Sequence, residues 1–251
     1  MVYSPMPFTL AHPLAVFPFR RTRMDMTTLI IGSMAPDFDY LYHTHAGIIL
    51  SHSLPGIIYY CLPITISVAM LWHFVVKAGL ASALPLSLVR QYSDWLSSRW
   101  EFQSFFRIVT IIVSTVIGVI THLAWDSFTH INGFFVQNIV FLTRRTCIFN
   151  FPVYKLLQYG CGLMGAFIVL FVIVEHSSQR PLMTVRHHPI IFWITALSVF
   201  VVFCIARYFT MQYDSLGELL KYTIVIFLSG FAFSITLASI VVRIYNKVQQ
   251  S

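Results

Sequence analysis

The sequence predicts an all-α polytopic membrane protein with about five transmembrane helices, and two observations support that class. Of the 251 residues, 57% are hydrophobic and only 10% are charged, with a mean hydropathy of +0.76. Soluble domains carry about 25% charged residues, so a water-soluble core could not absorb this apolar excess. The apolar residues also form five runs near one bilayer thickness. These runs are Leu54–Val76, Phe105–Leu123, Leu156–Val174, Ile190–Ala206 and Tyr222–Val242.

The net charge of +7 is spread between the apolar runs rather than gathered in one motif. This distribution favours anionic lipid headgroups of the bilayer as partners, and it indicates no nucleic-acid interface. The four cysteines show no Cys-x-x-Cys spacing, which is typical of packing residues rather than of a disulfide framework or a thiolate zinc site.

The first fifty residues are expected to form short interfacial helices. Met1–Arg23 contains four prolines and its basic cluster follows the apolar part, so it does not have the pattern of a signal peptide. Thr27–Met34 is apolar but too short to cross a bilayer. We expect a single membrane-embedded domain over residues 1–251, in which residues 6–155 carry the polar site and residues 156–251 supply supporting transmembrane helices.

The segment Thr121–His130, at the end of the second apolar run, contains the main candidate site. His122, Asp126 and His130 are spaced i, i+4 and i+8, which places all three on one face of a helix. Polar groups at this depth are costly unless something binds them, and zinc, manganese and iron accept imidazole and carboxylate ligands. The alternative is a helix end that exposes two interfacial histidines and an aspartate to water.

A second polar cluster precedes the first apolar run. Pro36 is expected to stop a helix, and an extended segment after it would point Asp37 and Asp39 to one side, as a divalent cation requires. The alternative is an Asx-type turn at the surface. His45 and His52 follow shortly afterwards, directly before the apolar run.

Two membrane crossings separate the two clusters, so both clusters are expected at the same face of the membrane. The histidines of the loop Glu175–Pro189 fall on the opposite face and are excluded from the site. The positive-inside rule gives no orientation, because eight basic residues fall on each side. The site's side carries Arg20, Arg21, Arg23, Arg144, Arg145, Lys155, Arg207 and Lys221.

Three motifs carry a resemblance to known proteins: Met-Pro-Phe-Thr-Leu-Ala-His-Pro from Met6, Gly32–Tyr40 and Thr121–His130. Together they resemble a bacterial membrane family catalogued as a domain of unknown function. Their order is also similar to that in proposed metal-dependent hydrolases of the bacterial inner membrane, and to some extent to zinc-dependent phospholipase C. The resemblance implies an inner-membrane location and a start at Met6 rather than Met1. The metal ligands that it implies are His12, Asp37, Asp39, His45, His52, His122 and Asp126.

Two classes of function remain open from the sequence. In the first, one or more divalent metals activate water to hydrolyse a lipid or lipid-linked phosphodiester, with Asp37 or Asp39 as ligand or general base. Zinc is the expected metal, with manganese or iron as alternatives. In the second, the protein is a non-catalytic, metal-stabilised structural or interaction module, or a transporter component. A shared site requires a carboxylate of Asp37 or Asp39 within about 5 Å of a His122 ring nitrogen.

Overall fold

The computed structural model describes residues 11–41, 50–148, 150–177, 186–210 and 216–250. Within these ranges the chain is helical and forms no strand, apart from a single isolated bridge between Arg145 and Pro152. Five helices are long and apolar enough to cross a membrane, which confirms the predicted fold class. These five are Leu54–Ala83, Phe105–Asn138, Val153–Glu175, Pro189–Thr210 and Tyr222–Val248.

The helices in chain order are α1 (Pro13–Val16), α2 (Met26–Gly32), α3 (Leu54–Ala83), α4 (Leu86–Gln91), α5 (Ser93–Ser97), α6 (Phe105–Thr129), α7 (Phe134–Asn138), α8 (Val140–Thr143), α9 (Val153–Glu175), α10 (Pro189–Thr210) and α11 (Leu216–Val248). Two 3₁₀ helices cover Phe17–Arg21 and Ala35–Leu41. Helix α3 contains two π-helical turns, Ile57–Cys61 and Trp72–Val76. The first π turn ends just before Pro63, whose missing N–H interrupts regular α-helical bonding.

The described residues divide into two compact units. The first unit contains those up to Asp39, those from 50 to Ser67, and those within Glu101–Glu175. The second unit contains the remaining described residues, including α10, α11 and the later part of α3. Each unit has its own apolar core. In the first, Ala35, Ile57, Cys61 and Val119 pack together, and in the second Phe192, Ala196, Ile235 and Ala238 do so.

Helix α2 packs directly against the backbone of α6 in the first unit. A Cβ atom on Gly32 would lie 2.8 Å from the Thr115 carbonyl oxygen, and one on Gly118 would lie 2.5 Å from the Leu29 carbonyl oxygen. Both distances are too short for a real contact, so this close approach requires glycine on each helix. The approach brings the end of α2 and the following 3₁₀ helix next to the last turns of α6.

The segment around Asp37 and Asp39 differs from the sequence prediction. It is the 3₁₀ helix Ala35–Leu41 rather than an extended strand-like segment. Pro36 fits the first turn of a helix, where its fixed φ is suitable and its missing N–H costs nothing. Because a 3₁₀ helix has three residues per turn, side chains two positions apart point about 120° away from each other. The prediction that alternation directs both carboxylates to one side is therefore wrong.

Candidate metal centre

Four side chains from three parts of the first unit converge at the end of α6. Asp37, His52, His122 and Asp126, here called the Asp–His cluster, each offer one ligand atom, and these atoms lie within 4.8 Å of one another. Asp37 comes from the 3₁₀ helix, His52 lies just before α3, and the other two are one turn apart on α6. The distances are 3.2 Å from His122 Nε2 to Asp126 Oδ2, 3.6 Å from His122 Nε2 to Asp37 Oδ1, 3.7 Å from His52 Nε2 to Asp37 Oδ1 and 3.8 Å from His52 Nε2 to Asp126 Oδ2.

These distances test the predicted proximity and the fit to an ion. The 3.6 Å separation of His122 and Asp37 confirms that a carboxylate of the Pro36 segment reaches His122. Ligand atoms about 2.0–2.1 Å from a tetrahedral ion lie about 3.3–3.4 Å apart. The measured nitrogen–oxygen separations of 3.2–3.8 Å bracket that value. The cluster could therefore hold one metal ion with small side-chain rotations.

The hydrogen bonding of His122 directs a lone pair into the cluster. Its Nδ1 lies 2.8 Å from the Ser33 carbonyl oxygen, and a carbonyl only accepts, so Nδ1 must donate. In the neutral ring the lone pair is then on Nε2, which faces two carboxylate oxygens that also only accept. Nε2 is buried, and in the neutral ring it meets no donor; only a doubly protonated ring would pair it with Asp126 Oδ2, 3.2 Å away. This combination, with one nitrogen fixed by a carbonyl and the other free, is the usual arrangement of a metal-bound histidine.

His12 lies against the cluster from the start of the chain. Its ring stacks on that of His122 with centroids 4.0 Å apart, and its Nε2 lies 3.8 Å from Asp126 Oδ1 and 4.0 Å from Asp37 Oδ2. Burial, reinforced by the neighbouring His122, lowers the pKa of His12 to about 4, so the ring is neutral at pH 7 and keeps a lone pair. Burial alone would raise the pKa of Asp37, but the surrounding histidines, His122 first, hold that pKa well below its usual range.

His130 contacts the cluster through Asp126 alone. Its Nδ1 lies 3.3 Å from Asp126 Oδ1 and 3.2 Å from the Thr129 hydroxyl oxygen. That hydroxyl donates its proton to the Trp125 carbonyl oxygen, so it accepts from Nδ1. The Nε2 lone pair of His130 faces the amide nitrogen of the buried Gln158 at 3.2 Å. His130 Nδ1 therefore donates to Thr129 and Nε2 accepts from Gln158, and both partners lie outside the Asp–His cluster. The approach of Nδ1 to Asp126 Oδ1 is the contact of His130 with the cluster.

Two further predicted ligands are not part of the Asp–His cluster as the structure describes it. Asp39 is buried on the same 3₁₀ helix as Asp37 but is not one of the four convergent groups. His45 lies outside the described residues. Their roles as ligand or base stay predictions.

Sequence reasoning missed two residues at this site. Ser33 acts through its backbone carbonyl, which any residue possesses, so no sequence pattern could single it out. Gln158 lies on α9, 28 positions from His130, inside an otherwise apolar span. A buried amide within a transmembrane run was the available signal, since such groups need a partner.

One known protein family matches nearly the whole chain. The family model described as Domain of unknown function (DUF4184) matches residues 6–242. The chain belongs to this family. The matched range of the DUF4184 family includes every residue of the Asp–His cluster as well as His12, His130 and Gln158. Searches of the curated proteins and of the solved structures found no match.

Proposed function

We propose that this protein is a membrane-bound metal-dependent hydrolase that acts on a lipid or lipid-linked phosphodiester. One observation carries the proposal. Two buried atoms of the cluster, His122 Nε2 and Asp126 Oδ1, are satisfied by no hydrogen bond outside a ring of histidine nitrogens and aspartate oxygens 3.2–3.8 Å away. An unsatisfied buried polar atom costs about 1–3 kcal/mol. A divalent cation would satisfy the nitrogen lone pairs and carboxylate charges together.

The residues of the cluster have distinct tasks in this proposal. Asp37, His52, His122 and Asp126 hold the metal, and the neutral His12 ring shields the site from the protein interior. A divalent metal bound here, zinc with manganese or iron as alternatives, would lower the pKa of a water molecule to about 7 and polarise a phosphoryl oxygen. Asp37 remains a carboxylate at neutral pH, so it can serve as a ligand or accept a proton from water.

The exposure of the cluster indicates where a substrate would enter. The side chains of His12 and His122 are 2% and 0% exposed, whereas that of His52 is 31% exposed. The apolar residues on either side of His52, Leu50 and Leu54, are exposed as well. A cluster that is closed on one side and open beside apolar side chains suits a substrate with a polar phosphodiester and an acyl or isoprenoid chain.

The competing function is a structural metal site in a non-catalytic membrane protein. The complete burial of His122 and the near-complete burial of His12 favour it, because structural sites are closed by protein ligands. The two functions differ in whether the metal supports turnover.

The test begins with metal analysis of the purified full-length protein. We expect about one equivalent of zinc or manganese in wild type, its loss in Asp126→Ala, and its retention in Asp94→Ala, an aspartate paired with a histidine in the second unit. The wild-type protein should then release phosphorylated headgroup or diacylglycerol from mixed bacterial lipids, and a chelator should stop the reaction. If the wild-type protein contains metal but turns over no lipid with any divalent ion supplied, the metal has a structural role and the hydrolase proposal is wrong.

A further inference from the structure

The beginning of the chain forms a hairpin that leaves the Asp–His cluster and returns to it along α6. His12 lies at the cluster, 3.8 Å from Asp126. Twelve residues later, Met24 Sδ lies 3.5 Å from the Ser114 hydroxyl oxygen, which also accepts the Asp25 N–H at 2.9 Å. Helix α2 then runs back until the Ser33 carbonyl oxygen meets His122.

The turn of this hairpin is far from the cluster. Ser114 precedes His122 by eight positions on α6, which corresponds to about 12 Å along the helix. The Asp25 carboxylate pairs with Arg107 at 2.6 Å, and Arg107 lies near the opposite end of α6, about 22 Å from His122. The contacts of Met24 and Asp25 with Ser114 therefore fix the end of the turn at the middle of α6, about 14 Å from the Phe105 end of that helix and about 22 Å from its Thr129 end.

Three arginines occupy the turn. Arg20, Arg21 and Arg23 are all exposed, and the Arg20 guanidinium lies 4.0 Å from the centroid of the Phe17 ring. The carboxylate near this turn, Asp25, pairs with Arg107 at 2.6 Å. Exposed guanidinium groups are costly in hydrocarbon, and long arginine side chains beside apolar arms extend to the nearest headgroup layer.

We propose that Arg20, Arg21 and Arg23 bind anionic headgroups of the cytoplasmic leaflet and that the Asp–His cluster faces the opposite, non-cytoplasmic side of the membrane. The sequence count had placed these arginines on the cluster's side, which produced eight basic residues on each side. The headgroup layer nearer to the turn is the one at the Phe105 end of α6, and assigning the three arginines to it leaves five basic residues on the cluster's side and gives eleven opposite. An excess of this size predicts the cytoplasmic side.

This orientation adds a location for the substrate, and that addition rests on the proposed function. The substrate would be a lipid or lipid-linked phosphodiester exposed in the non-cytoplasmic leaflet. The orientation itself does not depend on catalysis, so it can be tested in a protein with no measurable activity.

Cysteine labelling of the full chain in spheroplasts tests the orientation. Cys147, which is exposed in the connection after α8, reports the cluster's side once Cys61, Cys161 and Cys204 are replaced by serine. Thr22→Cys in the same background with Cys147→Ser reports the turn and keeps all three arginines, since Thr22 is exposed between them. An unchanged gel-filtration profile of both variants in detergent serves as the folding control, whether or not the protein binds metal.

We expect a membrane-impermeant maleimide to label Cys147 in intact spheroplasts and Thr22→Cys only after the membrane is opened. Replacing the three arginines by glutamine should then make a measurable fraction of Cys147 inaccessible from outside. Labelling of Thr22→Cys alone in intact spheroplasts would reverse the orientation, and the same accessibility for both cysteines would overturn the placement of the hairpin turn.

Discussion

The two units of the molecule treat buried polar side chains differently. In the second unit, the buried Lys77 donates to both the carbonyl and the hydroxyl oxygen of Ser98, and the half-buried His176 lies 2.9 Å from Asp94 Oδ1. Among the described residues of that unit, no buried side-chain nitrogen or oxygen lacks a hydrogen-bond partner. In the first unit, by contrast, the buried atoms without one include the Thr65 hydroxyl and, gathered at the Asp–His cluster, His12 Nδ1, His122 Nε2 and Asp126 Oδ1.

The difference separates structural polar contacts from a site that requires a further ligand. Both units contain a histidine beside an aspartate, so residue type alone does not distinguish them. The pair in the second unit is hydrogen-bonded, and the His176 ring also stacks on Trp95 with centroids 3.8 Å apart. Buried polar groups that are satisfied need no ligand, whereas unsatisfied ones in a native fold indicate an ion, a water molecule or a catalytic role.

The largest expected effect concerns metal binding in the two aspartate variants. Asp126→Ala removes a ligand that no neighbour replaces, and we expect metal content to fall from about one equivalent to background. Asp94→Ala breaks the matched pair of the second unit and should leave metal content unchanged. Elemental analysis of both purified proteins measures this difference. Equal and low metal in wild type and Asp126→Ala would remove the distinction between the units.

Removing the metal with a chelator should lower the thermal stability of the protein through the first unit, which contains the Asp–His cluster. Metal at a thousand times its dissociation constant stabilises the folded state by about 4 kcal/mol. We therefore expect a chelator to lower the thermal midpoint of wild type and of Asp94→Ala, while the midpoint of Asp126→Ala stays constant. Fluorescence-monitored melting in detergent measures both. A midpoint that does not respond to chelator in wild type would contradict a metal bound in the folded state.

Much of the fold and part of the site followed from the sequence, for identifiable reasons. The five spans depend on length and apolar content, which are local properties. The convergence of Asp37 with His122 followed from topology, because two crossings return the chain to one face. The 3₁₀ helix after Pro36 and the hairpin that carries Arg23 depend on the packing of α2 against α6. Such tertiary contacts leave little trace in the local pattern.

The Gly118 contact provides a third test, because α2 positions Ser33 and the segment that bears Asp37. A Cβ at Gly118 would meet the Leu29 carbonyl oxygen and the Ser33 backbone nitrogen, whereas one at Gly160 on α9 would have nothing within 4 Å. We expect Gly118→Ala to cost about 1–3 kcal/mol of stability and to weaken metal binding. Gly160→Ala should be neutral or slightly stabilising. Melting and metal titration check the pair, and similar behaviour of both variants would argue against close packing of α2 on α6.

Gln158 should have a smaller effect that acts through His130 on Asp126. Gln158→Leu frees the His130 ring, so the Asp126 carboxylate loses a positioning contact but remains a ligand. Loss of such a supporting contact typically weakens metal affinity by about 10–100-fold. The exposed Gln137 offers a matched Gln→Leu control that should leave the affinity unchanged. Competition titration with a chromogenic chelator gives both dissociation constants, and equal constants would mean that His130 does not position Asp126.

The smallest effect belongs to the satisfied pair of the second unit. Burial alone would raise the pKa of Asp94, but the hydrogen bond from His176 and its charge lower that pKa below the usual value. A lowered aspartate pKa stabilises the fold above the unfolded-state value of about 3.9, and the stabilisation is lost as pH falls through the folded-state value. Asp94 is partly exposed, so we expect Asp94→Asn to lose only about 0.2–1 kcal/mol at pH 7. Wild type and variant should converge as the pH falls through the lowered folded-state pKa of Asp94, without any change in metal content at neutral pH. A stability difference that grows on acidification would show that the pair does not hold Asp94 in its charged form, and the contrast with the unsatisfied cluster of the first unit would then need another explanation.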